Sequence, residues 1–188
     1  MVLFNVKENN SEKTFEIAIA RAKELKTDIV AATTTGKTAF GLLEAAEAAD
    51  FNGRIVIVTH CYGSRTPGEN IMSEETRCKL TEKGAILVTA AHALSGGERG
   101  LSGVFKGVYP LEIVAHTLRM ISAGTKVCVE IGMMAMDAGV LAYKKPVVCI
   151  GGTGGGADTA CVVTPSYSSK ILETRINEFL CKPDLYEG

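Results

Sequence analysis

Apolar residues at Phe15, Ala18, Ile19, Ala22 and Leu25 recur at intervals of three and four behind Ser11 and Glu12, which predicts a helix with one buried face. A short apolar run at 28–32, including Ile29 and Val30, predicts a strand. A polar turn at 33–38 follows, and then strong helix formers at 39–49. The unit repeats with a strand at 54–59, a polar loop from Cys61, and a helix starting at Ser73 with Glu74 and Glu75 in its first turn and Gly84 at its end. A third strand at 85–89 leads into a glycine-rich connection over 90–109. Pro110 then opens a helix with Leu111, Val114, Leu118 and Ile121 on one face. Beyond it the pattern predicts a strand at 126–130, a helix over 131–142, strands at 146–150 and 159–164, and a final helix over 169–180 that stops before Pro183.

Short Val- and Ile-rich strands alternating with helices define an α/β fold with a mainly parallel sheet covered on both faces. The last two strands are joined by a glycine loop too short for a helical crossover. They should therefore pair antiparallel and leave a reversed strand at one sheet edge.

Composition narrows the picture. A chain of 188 residues fits one domain, 1–188, and its 46% apolar and 22% charged residues support a packed core. No apolar stretch approaches the roughly 20 residues of a membrane span. The start at 1–8 lacks a basic leader followed by an apolar stretch, so the expected location is the cytoplasm. With net charge −1 and Lys and Arg spread singly, neither nucleic acid nor an anionic membrane is expected as a partner. The six cysteines contain no CxxC pair, and Cys128, Cys149 and Cys161 sit in apolar runs, as reduced buried thiols do. The glycines concentrate at 96–107 and 151–156 and mark loops or places of close backbone approach.

In an open parallel sheet, ligands sit beyond the carboxyl ends of the strands, next to helix amino termini. The turn Thr33-Thr34-Thr35-Gly36-Lys37-Thr38 lies at such a place and offers hydroxyls, a glycine and a lysine to a phosphate; its ordinary alternative is a turn whose threonines serve only the backbone. Gly36-Lys37-Thr38 copies the end of a P-loop, but Ala31 stands where that motif needs glycine. Residues 152–157 nominally contain GxGxxA, yet a strand rather than a helix follows, which points to a hairpin bordering a ligand. His60 and Cys61 follow the second strand, and Cys61 reads as a loop thiol or as a nucleophile or ligand. His92, Glu98 and Arg99 lie in the long connection and are placed to orient or neutralise an anion. His116 reads as a mid-helix residue, Glu130 and Asp137 either line the site or, as the favoured reading, are capping or solvated carboxylates, and three histidines without a ligand spacing predict no metal.

The run through Ile29-Val30-Ala31-Ala32-Thr33-Thr34-Thr35-Gly36-Lys37-Thr38-Ala39 resembles the start of the C-terminal domain of pyruvate kinase. The likeness extends through His92-Ala93, Glu98-Arg99, Thr117-Leu118-Arg119, Asp137-Ala138-Gly139 and the segment Gly151 to Ala160. Over nearly its full length the chain is similar to stand-alone pyruvate kinase α/β-domain proteins of archaea and bacteria. The resemblance implies a three-layer α/β/α sandwich with a five-strand core sheet in order 3-2-1-4-5, strand 5 antiparallel. It implies a phosphate held by Thr33, Thr35, Gly36, Lys37 and Thr38, and a lid formed by Gly152, Thr153, Gly154, Gly156 and Asp158. It also implies flavin mononucleotide (FMN) as the ligand. The chain has no Trp to stack on a flavin ring, and Tyr62, Phe105 and Tyr109 are the loop aromatics available. There is no room for the catalytic barrel in this length, so pyruvate kinase activity is not expected.

The expected function is therefore a small-molecule-binding domain that holds a phosphate-bearing ligand, FMN above others. The alternatives are an enzyme acting on a phosphorylated metabolite through His60, Cys61, His92, Glu98 or Glu130, or a homo-oligomeric regulatory module.

Overall fold

The computed structural model describes residues 1–6 and 8–186. Its elements are β1 (Val2–Phe4), α1 (Ser11–Leu25), β2 (Ile29–Thr33), α2 (Lys37–Ala48), β3 (Ile55–Thr59), α3 (Glu74–Glu82), β4 (Ile86–Thr89), α4 (Gly96–Phe105), α5 (Pro110–Arg119), α6 (Ala123–Asp137), β5 (Val147–Gly151), β6 (Thr159–Thr164), a 3₁₀ turn (Ser168–Glu173) and β7 (Arg175–Pro183). They form a seven-stranded sheet in the order β1-β7-β6-β5-β2-β3-β4. Its central five strands, read from β4 to β6, reproduce the expected 3-2-1-4-5 order, and β6 runs antiparallel to both of its neighbours.

The sheet has helices on both faces because successive strand residues alternate sides. Ile29, Ala31, Ile55 and Ile57 face α1 and α2, where Phe15, Ala18, Ala22 and Leu42 close the first core. Burying side chains such as Phe15 and Leu42 contributes about 1.5–3 kcal/mol each. Val30, Val56 and Val58 face the other way, against Cys128, Ile131 and Met134 of α6. Helix α5 lies outside α6, with Ala115 against Val129 and Met133.

Three expectations are corrected. Residues 126–130 are not a strand but the middle of α6, which is buried nearly all round and so shows no amphipathic period. The Ser122 hydroxyl starts this helix by accepting from the Thr125 amide at 2.9 Å. Residues 169–180 are not a helix: after the 3₁₀ turn, β7 pairs with the open edge of β6, so the reversed strand is interior rather than at the edge. Within the 90–109 connection, residues 96–105 form α4 in spite of four glycines. No residue of α4 is buried. Among the described residues no helix is long and apolar enough to cross a membrane.

Candidate functional site

The three parallel strands β2, β3 and β4 each end in threonine, with Thr33 in register with Thr59 and Thr59 with Thr89. Past these ends a cleft of about 650 Å³ opens between α1, the start of α2, α6 and the hairpin joining β5 to β6. Thr33, Thr34, Thr35, Lys37, Thr38, His60, Arg65, His92, Glu130, Gly152, Gly154 and Gly156 line it together with the apolar Phe15, Val58, Val127, Ile131 and Met134.

The 33–38 turn is built for close approach. Thr33 Oγ1 accepts from the Gly36 amide at 3.1 Å, which folds the backbone over. Gly36 has φ +98°, a left-handed conformation that favours glycine, and a Cβ there would lie 2.6 Å from Thr76 Cγ2. No side chain caps α2, so its first amides and the positive end of its dipole are left to whatever enters the cleft. Thr35 and Lys37 are exposed, and Lys37 makes no ion pair among the described residues. Gly36 itself is buried inside the turn and acts by shaping it.

The opposite wall is the β5–β6 hairpin. A Cβ on Gly152 would overlap the Gly156 carbonyl oxygen, so the hairpin closes only with glycine at that position. The Ala157 amide donates to Ser11 Oγ at 3.1 Å and pins the hairpin onto the start of α1. Asp158 does not line the cleft. Its carboxylate accepts from the Thr153 amide at 3.0 Å and from the Thr153 and Thr159 hydroxyls, so Asp158 and Thr153 serve to hold the hairpin's shape.

At the deep end, Glu130 is buried within α6. Its Oε2 faces His92 Nδ1 at 3.2 Å and is paired with Lys126 one turn earlier, while Oε1 accepts from the Leu94 amide at 3.0 Å. Burial pushes the Glu130 carboxyl up. The His92 hydrogen bond and the Lys126 charge outweigh it and hold the group down at about 2. Lys126 is itself buried, which lowers its basicity against the opposing pull of Glu130. His92 Nε2 lies 3.5 Å from His60 Nδ1, which is 3.8 Å from Cys61 Sγ. Burial, His92 and Arg65 lower the basicity of His60.

The structure thus gathers Thr33, Thr35, Lys37, Thr38, His60, His92, Gly152, Gly154 and Gly156 around one cleft, with Cys61 against His60 just outside it. Glu98 and Arg99 stand elsewhere. Glu98 Oε2 accepts from the Leu111 and Glu112 amides at 2.8 and 3.3 Å, capping α5 rather than meeting an anion. Arg99 is exposed on α4. Tyr62, Phe105 and Tyr109 also lie outside the lining, and Phe15 is the aromatic residue in it. Sequence reasoning missed Asn9, Ser11 and Arg65, and its favoured reading of Glu130 as a capping or solvated carboxylate is corrected: Glu130 is buried in α6 and lines the cleft. The signal for Glu130 is the Lys126–Glu130 spacing of four, which pairs charges across one helical turn inside an otherwise apolar segment.

Two solved structures of pyruvate kinase from Cryptosporidium parvum, one in complex with ADP, are each similar to the chain at 10% identity. One covers 84% of this chain and 23% of its own with a TM-score of 0.41, the other 94% and 25% with a TM-score of 0.39. The chain therefore spans about a quarter of their length. The family described as pyruvate kinase, alpha/beta domain, matches residues 12–163, from the start of α1 to the end of β6. With four-fifths of its residues in that match, the chain belongs to the pyruvate kinase alpha/beta domain family.

Proposed function

We propose that this domain binds a small phosphate-bearing molecule, specifically FMN, in the cleft at the carboxyl ends of its strands, without pyruvate kinase activity. The observation that carries this reading is the uncapped amino terminus of α2, flanked by Thr35, Lys37 and Thr38 and opening into the cleft. The volume of about 650 Å³ lies in the range of small-molecule sites. Phe15, Val58, Val127, Ile131 and Met134 offer an apolar wall for a flat ring, and His60 and His92 offer polar atoms beside it. FMN in this cleft would supply electron- and hydride-transfer chemistry, while the chain's own residues bind the phosphate and enclose the ring. Purified protein equilibrated with FMN should shift the flavin absorption bands. Native mass spectrometry should show one bound nucleotide that is lost in Lys37→Ala. Unchanged bands with no bound mass would overturn the reading.

A second reading, self-association, is favoured by a separate observation. Leu101, Val104 and Phe105 of α4, Val108 of the connection that follows it and Ile113 of α5 are all exposed apolar residues. A second copy of this chain would cover them. Sedimentation velocity should then show a dimer or larger species that Phe105→Glu dissociates, and a monomer at all concentrations would exclude it.

A further inference from the structure

The carboxyl ends of β3 and β4 bring three metal-ligating side chains together. One donor atom from each of His60, Cys61 and His92 lies within 4.8 Å of the other two. The 3.5 Å between His60 Nδ1 and His92 Nε2 is long for a hydrogen bond between imidazoles. It suits two ligands of one ion. A tetrahedral zinc site with Zn–N of about 2.0–2.1 Å and Zn–S of about 2.3 Å has edges of about 3.3 Å between nitrogens and about 3.6 Å between nitrogen and sulfur. The measured 3.5 Å and 3.8 Å exceed those edges by about 0.2 Å each.

The surroundings fit the same use. Glu130 accepts from His92 Nδ1, so the proton sits on that nitrogen and Nε2 turns its lone pair toward His60. A carboxylate behind a histidine is the arrangement that orients metal-binding imidazoles and raises their donor strength. Glu130 is itself fixed by the Leu94 amide and Lys126, and the helix carrying it is buried. His60 is fixed from the backbone side, where its carbonyl accepts from Asn70 Nδ2 at 2.7 Å.

We propose that His60 Nδ1, Cys61 Sγ and His92 Nε2 form a tetrahedral transition-metal site of the zinc type, with Glu130 as the positioning residue and the fourth position open to the cleft. Three protein ligands and one open position are the donor count of zinc sites that act on a substrate rather than hold a fold together. Binding forms three dative bonds, the Cys61 thiol proton leaves to solvent, and no atom changes oxidation state. Arg65 lines the same cleft, so the fourth ligand favoured there is anionic, a hydroxide or a phosphate oxygen. The site is argued from ligand geometry and does not require FMN, although His60 and His92 border the same cleft.

Cobalt(II) tests it directly. The full chain, stripped with a chelator, should take up one equivalent of cobalt and develop tetrahedral d–d absorption with a thiolate-to-cobalt charge-transfer band. Zinc should then displace the cobalt. Cys61→Ser should abolish the charge-transfer band, and Cys78→Ser, at an exposed thiol on α3, should leave the spectrum unchanged. Glu130→Gln should weaken cobalt binding by about 10–100-fold while keeping the band. A wild-type chain without stoichiometric uptake, or a band that survives Cys61→Ser, overturns the proposal. A measurement on the wild type alone serves if a variant misfolds: zinc should protect Cys61 from iodoacetamide, and equal alkylation with and without zinc also overturns it.

Discussion

His92 Nδ1 and Glu130 Oε2 lie 3.2 Å apart, tying the segment after β4 to the middle of the buried helix α6. The contact puts a carboxylate under the floor of the cleft. That carboxylate is tolerable there because Lys126, His92 and the Leu94 amide all meet it.

Replacing Glu130 by glutamine leaves the Lys126 ammonium buried without its counter-charge. Glu130→Gln should therefore lower stability by about 3–5 kcal/mol. Urea unfolding checks this, and a loss below about 1 kcal/mol would show that Lys126 finds water or another partner. Lys126→Met combined with Glu130→Leu, which removes both charges, should recover part of the loss.

Gly36→Ala forces a side chain into a left-handed backbone at φ +98° and against Thr76. The expected cost is about 1–3 kcal/mol by thermal unfolding, with FMN binding weakened as the turn opens. Unchanged stability together with full FMN binding would mean that the turn relaxes without consequence for the cleft.

The thiols divide by burial. Cys128, Cys149, Cys161 and Cys181 are buried, Cys61 is half-buried and Cys78 is exposed. Burial pushes the Cys149 thiol far above its ordinary range and the Cys181 thiol up to about 11, so at pH 8 both stay protonated as well as inaccessible. Iodoacetamide on the native apo chain at pH 8 should label Cys61 and Cys78 only, as read by peptide mass spectrometry. Rapid labelling of Cys149 would contradict the packing of α6 on β5.

Helix α4 contains four glycines and buries no residue, whereas α6 is buried along most of its length. Amides at 100–105 should exchange with deuterium orders of magnitude faster than those at 127–135. Equal protection would place α4 against something that covers it, consistent with the second copy proposed above.

The parallel core was legible because each βα unit carries its own punctuation: Ile29 and Val30 before Gly36, then Ile55 to Val58 before Ser73. The antiparallel β6 was legible from the short hairpin that precedes it. What misled was burial and edge pairing. Lys126-Val127-Cys128-Val129-Glu130 has strand-like residue types, but α6 is wrapped by the sheet and α5, which removes the polar face that marks a helix. Residues 175–180 carry a workable helical pattern, yet the unpaired edge of β6 recruits them as β7. Within the site, the 33–38 turn and the hairpin glycines were readable because they are local. The approach of His92 to Glu130 and His60 is set by strand register and helix packing, which no local spacing records. Glu98 was misassigned for the same reason, since its partners, the Leu111 and Glu112 amides, come from the next helix.

The most direct measurement is calorimetric titration of the wild-type chain and Lys37→Ala with FMN and with riboflavin, which has the same ring and no phosphate. A phosphate held by Lys37 and the start of α2 should make FMN bind about 10–100-fold more tightly than riboflavin, and Lys37→Ala should erase most of that difference while leaving riboflavin unchanged. Equal affinities for the two flavins, or an FMN affinity unaffected by Lys37→Ala, would contradict the assignment of the 33–38 turn as the phosphate site.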